Sequence, residues 1–321
     1  MSQHFLLSAA ARTLSLRAVA RMSDDEAHAT FVRIRWSDND GKPYCPKCGC
    51  VEVYAYAARR IFKCQGCGHQ FSATSGTIFA SRKMPVRDLL LAIAIFMNSA
   101  KGYSALQLSR DLDVQYKTAF VLAHKIREAL AADMNSATVS GKVEVDGAYF
   151  GGYVKPANQK EKRLDRRMTE NMRGKRQVVV VMRERAGKTL AFVAKSEGEG
   201  TKTIAQTVQL GSVIYADEAS VYDRLHAKFE TRRINHRQRY ADGDNRTNLA
   251  ESFFSRLRRA EVGTHHHIAG KYLAAYAQEM AWRENNRRVS NGEQFSKTID
   301  AALKHPVSAN WKGYWQRASH D

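Results

Sequence analysis

The sequence predicts a multi-domain α+β protein: a small cysteine ribbon, a helical unit, and an α/β domain built on a mixed sheet. Three observations carry this. Two C-x2-C pairs stand fifteen residues apart near the N-terminus, helical periodicity runs through 81–135, and from residue 140 short Val/Ile-rich strands alternate with helices. The 321 residues exceed one typical domain, and a hydrophobic content of 44% is enough for a core. Lys and Arg total 51 against 32 Asp and Glu, a net charge of +19. That excess points to a polyanionic partner, nucleic acid ahead of a membrane surface. The longest apolar run, Leu89 to Met97, is nine residues, far short of the roughly 20 that span a bilayer. Five cysteines, four of them in two tight pairs, argue against a disulfide scaffold and for a metal site in a reducing compartment.

Residues 1–36 read as a helical lead-in. The stretch 1–21 carries Arg12, Arg17 and Arg21 and no acid. It is open to three readings: an organellar transit peptide, a stretch ahead of a start at Met22, or a short amphipathic helix. The last is favoured, because Ser23-Asp24-Asp25-Glu26 has the form of a helix cap with acids in its first turn and helix signals run on to Trp36.

Residues 37–80 read as a zinc ribbon. Cys45-Pro-Lys-Cys48 and Cys64-Gln-Gly-Cys67 each form a tight turn, and two such turns offer four soft thiolates in a tetrahedron, the arrangement one structural Zn²⁺ prefers. Gly49 and Gly68 follow the pairs, where a left-handed backbone is easiest for glycine. Val51 to Tyr56 and Arg60 to Lys63 are expected to form a hairpin. Cys50 fits neither turn and is expected to point elsewhere. Four thiolates leave no open position, so this metal serves stability rather than chemistry.

Residues 81–135 read as a helix-turn-helix-like unit. Asp88 to Asn98 is a dense apolar helix, a second helix capped by Ser104 runs to Leu112, Asp113-Val114 makes the turn, and Gln115 to Leu130 is the third. Gln115 and Lys117, at the start of the third helix, are residue types that reach bases and phosphates. An ordinary three-helix connector fits the same pattern.

Residues 140–321 read as one α/β domain. Lys142 to Gly152 is a strand with Glu144 and Asp146 on one face, followed by strands over 177–183 and 188–194 about an Ala186-Gly187 turn. Thr201 to Leu210 is expected as a helix, and Ser212 to Asp217 as a strand ending in an acid. Two acids on adjacent strands repel, and a divalent cation relieves that; hard oxygen ligands suit Mg²⁺. Glu251 is the expected third acid, on a helix where Ser255 and Arg258 share its face. Each acid has a plainer reading: Asp146 beginning a turn at Gly147, Asp217 capping a helix, and Glu251 closing a capping box with Asn248. Lys155 to Arg176 holds nine Lys or Arg and three acids, and Arg232 to Arg239 is a second basic cluster. Such runs are usually solvated faces; two that flank a carboxylate cluster favour phosphate contact.

On these residues the chain resembles the ISXO2-like transposases of the IS1595 group. The resemblance rests on the ribbon with Phe71-Ser-Ala-Thr-Ser-Gly-Thr77, on Val145-Asp146-Gly147-Ala-Tyr-Phe-Gly151-Gly152 and on Tyr215-Ala-Asp217. It continues through Asn248-x-x-Glu251-Ser-Phe-Phe-Ser, Gly263-Thr-His-His-His267 and Trp282-Arg-Glu-Asn-Asn-Arg287. It implies an RNase H-like DDE catalytic domain in which Asp146, Asp217 and Glu251 bind two Mg²⁺ or Mn²⁺ ions, with Asn248 the fallback third ligand. It also implies that Arg258 contacts DNA near the scissile phosphate, where relatives often carry Lys. The implied activity is cleavage and strand transfer of double-stranded DNA at terminal inverted repeats by a homodimer or higher multimer, in a bacterial cytoplasm at the nucleoid and without a membrane partner. Lys155, Lys162, Arg163, Arg166, Arg167, Arg232, Arg233, Arg237 and Arg259 are the expected DNA contacts of this domain. The alternatives are a structure-selective nuclease without strand transfer and a catalytically inactive zinc-ribbon regulator.

Overall fold

The computed structural model describes residues 4–151, 157–164, 168, 176–234 and 246–317. They form two compact units: residues 1–133 with 288–321, and residues 134–287.

In the first unit, helices α1 (Leu16–Ala20) and α2 (Asp24–Arg35) make up most of the lead-in. Ser23 and Glu26 form a reciprocal capping box on α2, with Asp24 and Asp25 in its first turn. The ribbon is a three-stranded antiparallel sheet of β1 (Val53–Tyr56), β2 (Ile61–Cys64) and β3 (Gln70–Ser72); the third strand was not expected from sequence. Its core is aromatic: Trp36 lies edge-on to Phe62 and Phe71 at 5.7 and 6.2 Å. Helices α3 (Val86–Asn98), α4 (Ala105–Asp111) and α5 (Tyr116–Met134) follow, close to the predicted bounds. Ser104 caps α4, and Asp113 takes a left-handed backbone (φ 49°) in the turn before α5.

The second unit is built on a mixed five-stranded sheet of β4 (Lys142–Gly151), β5 (Arg176–Glu184), β6 (Thr189–Ala194), β7 (Val213–Asp217) and β8 (Glu230–Ile234), in the order β6-β5-β4-β7-β8. The first three strands pair antiparallel, while β7 and β8 add in parallel, as in an RNase H-like fold. Alternation along β4 sends Val143 and Val145 into a core shared with α6 (Glu197–Thr207). Ala148 and Phe150 enter a core shared with α7 (Asn248–Ala260) and α8 (Gly270–Asn285).

Two boundaries differ from expectation. The helix expected from Thr201 begins at Glu197, because Ser196 accepts a hydrogen bond from Glu199 N and two acids occupy the first turn. Gly198 and Gly200 masked that start; Gly200 packs so closely on Val180 that a Cβ would sit 2.7 Å from it. The last segment, expected to be continuous with the α/β domain, divides at 287. Helix α9 (Asn291–Lys304) buries Phe295, Ile299 and Leu303 and packs on α2 and α3 of the first unit. Asn291 Oδ1 accepts the backbone N–H groups of Thr13 and Leu14, each at 2.8 Å.

Candidate metal centre and carboxylate site

The four ribbon cysteines converge. Cys45 Sγ lies 3.7 Å from Cys67 Sγ, and Cys48 Sγ lies 3.5 Å from both Cys64 and Cys67. A tetrahedron with Zn–S bonds of about 2.3 Å has edges of about 3.8 Å, so the donor set fits zinc without rearrangement. Gly49 and Gly68 adopt φ of 75° and 70°, as the turns require, and their N–H groups close onto the carbonyls of Cys45 and Cys64. Cys50 stays outside the cluster, its thiol directed at the Glu52 carbonyl. Among the described residues this is the one group of three or more such ligands with all donor atoms within 4.8 Å.

The carboxylates gather in the second unit. Glu144 on β4 pairs with Tyr215 on β7 in the parallel ladder. Asp146 and Asp217 both lie two residues beyond this last pair of the ladder, on neighbouring parallel strands. Glu251 comes from the first turn of α7, the helix laid across that face of β4. Burial pushes the Asp146 carboxyl up to about 7 against the downward pull of the Gly147 N–H; the charges of Asp217, Glu251 and Glu197 push the same way. Asp146 thus stands in a poorly solvated place that the charges of its neighbours reach, whereas Glu251 is exposed; carboxylate oxygens are hard donors suited to Mg²⁺ or Mn²⁺. They do not, however, meet the 4.8 Å spacing of the cysteine cluster.

The plainer readings fare differently. Gly147 makes no turn: β4 continues to Gly151, and Gly147 supplies room instead. A Cβ there would sit 3.1 Å from Glu197 Cγ and 3.3 Å from Tyr222 Oη. Asp217 does accept a hydrogen bond from Ala219 N at 3.0 Å. Asn248 is the first residue of α7, and no side chain caps that helix from the Thr247 position.

Sequence reasoning missed Glu197 and Tyr222. Glu197 is raised by burial and by Asp217. Tyr222, 1% exposed, has a hydroxyl without a hydrogen-bond partner. Its acidity is suppressed by burial first and then by Asp146, Glu197 and Asp217. The signal for Glu197 was the Ser196-x-x-Glu199 cap, which starts α6 four residues earlier than the glycines suggest.

The basic residues sort by environment. Gln115 and Lys117 are exposed at the start of α5 in the first unit. In the second, Arg258 and Arg259 are exposed on α7, with the Arg258 guanidinium 4.9 Å from the Phe150 ring centre. Lys162 and Arg163 are exposed. Arg232 is exposed on β8 and pairs with Glu230 at 2.7 Å. Arg233 is drawn inward: it donates to the carbonyls of Asp217 and Ala219 and pairs with Asp223, holding the chain that leaves β7. Lys155, Arg166, Arg167 and Arg237 lie outside the described residues.

Comparison with known families places both regions. A transposase zinc-ribbon domain matches residues 22–70, and an ISXO2-like transposase domain matches residues 138–285, the stretch that contains Asp146, Asp217 and Glu251. No curated protein matches the chain. No described helix is long and apolar enough to cross a membrane. Through its ribbon and its second compact unit, the chain belongs to the ISXO2-like transposases of the IS1595 group.

Proposed function

We propose that this chain is the DNA transposase of an insertion sequence, acting by a DDE mechanism. What supports the reading is that Asp146, Asp217 and Glu251 lie on two neighbouring parallel strands and one helix within the matched transposase domain, with the charges of the other two acting on Asp146. Asp146, Asp217 and Glu251 would hold two Mg²⁺ or Mn²⁺ ions. When bound, such a pair supplies Lewis-acid stabilisation to the attacking and leaving oxygens of a phosphodiester. Arg258 and Arg259 hold the backbone near the cut, where an Arg fork binds phosphate in two hydrogen bonds. Water cleaves at each element end to leave a 3′ hydroxyl, which then displaces a target phosphodiester in line. No covalent protein intermediate is required.

One Zn²⁺ on Cys45, Cys48, Cys64 and Cys67 stabilises the ribbon. The ribbon and the α4–α5 unit, with Gln115 and Lys117, grip the terminal inverted repeats. Lys162, Arg163 and Arg232, with Lys155, Arg166, Arg167 and Arg237 beyond the described residues, contact backbone phosphates. Arg233 supports the site from within rather than touching DNA. Two ends are processed together, which calls for a dimer or higher multimer on DNA. Work on chromosomal DNA calls for a bacterial cytoplasm and association with the nucleoid.

The test is a strand-transfer assay with an element-end duplex, Mg²⁺ and a supercoiled target. Joined product that Asp146→Asn abolishes without loss of DNA binding is the expected result. Cleavage without joining would instead support a nuclease, and full activity in Asp146→Asn would remove the acids from the mechanism.

A further inference from the structure

We propose that Arg185 and Glu144 are a positioning pair that fixes the three carboxylates relative to one another; the role rests on the metal-binding reading above. Glu144 is fully buried, at 0% exposure, in a strand whose neighbours Val143 and Val145 are apolar. A charge in that setting is expensive unless every lone pair is used. Here Oε1 accepts from Arg185 Nε at 2.9 Å, and Oε2 accepts from the backbone N–H groups of Leu249 and Ala250 at 2.8 and 3.3 Å. Arg185 donates through Nη2 to the Arg246 carbonyl at 2.9 Å, and its guanidinium lies 3.7 Å from the ring centre of Tyr215.

These contacts share one register. Glu144 lies two residues ahead of Asp146 on β4, Tyr215 two ahead of Asp217 on β7, and Leu249 two ahead of Glu251 on α7. One guanidinium and one carboxylate therefore join all three elements at the same distance before the acid each carries. A helix start needs only a local Ser, Thr, Asp or Asn to satisfy its N–H groups. Thr247 makes no such bond, and the cap is supplied from the sheet. A cap of that kind ties the first turn of α7 to β4, which sets where Glu251 stands against Asp146. Arg185 suits the joint because its planar fork can donate at Nε and Nη2 while its face stacks on Tyr215; Lys offers neither.

The full-length zinc-loaded protein tests this through Mn²⁺ affinity, read from loss of the free-ion electron paramagnetic resonance signal, alongside the thermal midpoint. Glu144→Gln and Arg185→Lys should each weaken Mn²⁺ binding about 10–100-fold, the usual effect of removing a partner that orients a ligand. Arg185→Lys keeps the charge, so a purely electrostatic effect would spare it, and it carries the test if Glu144→Gln does not fold. Leu273→Ala, a truncation in the α8 core, should lower the midpoint and leave Mn²⁺ affinity alone. Wild-type affinity in Glu144→Gln and Arg185→Lys, with affinity lost in Asp146→Asn, would reduce the pair to a structural cap and overturn the proposal. Wild-type affinity in Asp146→Asn would overturn the metal reading itself, and the positioning role with it.

Discussion

The raised carboxyl of Asp146 makes a stability prediction that is independent of DNA. An unfolded Asp ionises near 3.8, whereas folded Asp146 keeps its proton to about 7. Between those values the folded state binds more protons than the unfolded one, so stability falls as pH rises from about 4 to about 7 and stays reduced above it. A difference of about 3 units at 1.36 kcal/mol each gives a ceiling of about 4 kcal/mol. Replacing Asp146 with Asn removes the charge and keeps an oxygen to accept the Gly147 N–H, a bond of 2.7 Å in the wild type. In divalent-free buffer at pH 8, with zinc retained in the ribbon, Asp146→Asn should therefore be more stable than wild type. For a unit of this size the ceiling corresponds to a rise of roughly 8–16 °C in the midpoint, and at least about 3 °C is expected. At pH 4 the difference should vanish. Added Mn²⁺ should raise the wild-type midpoint with concentration and leave the variant unmoved. Differential scanning fluorimetry across pH measures all three. A variant that is equally or less stable at pH 8, or that Mn²⁺ stabilises as it does wild type, would refute the reasoning that burial and neighbouring acids disfavour the charge on Asp146.

Three further outcomes follow from the same geometry. Elemental analysis should find one zinc per chain, and Cys48→Ser should lose it together with the ordered ribbon, read as new proteolytic cleavage between residues 45 and 67. Glu197→Gln should weaken Mn²⁺ binding by about tenfold while leaving α6 folded, because its carboxylate stands against Asp146 and Asp217; unchanged affinity would confine Glu197 to its place in the first turn of α6, where an acid suits the helix N-terminus. Lys117→Ala should lower the slope of log affinity for element-end DNA against log salt by about 1, and an unchanged slope would remove α5 from the DNA interface.

The sequence by itself determined the ribbon and most element bounds, because these depend on local rules. Ligand spacing makes the cysteine turns, a period of two puts Glu144 and Asp146 on one face, and Ser23 and Ser104 begin helices through bonds to residues three positions on. Glu197 escaped because glycines hid the start of α6, and only packing against Val180 explains why Gly200 is tolerated in a helix. Tertiary structure alone decided the partners. It sent α9 to the first unit, drew Arg233 out of a basic cluster to brace the chain after Asp217, and turned Glu144 from a second acid on the strand into the cap of α7. A carboxylate reads the same in sequence whether it faces a cation, a helix end or a guanidinium. Which of these it meets depends on long-range pairings such as that of Glu144 with Leu249, and no local pattern encodes a contact across 105 positions.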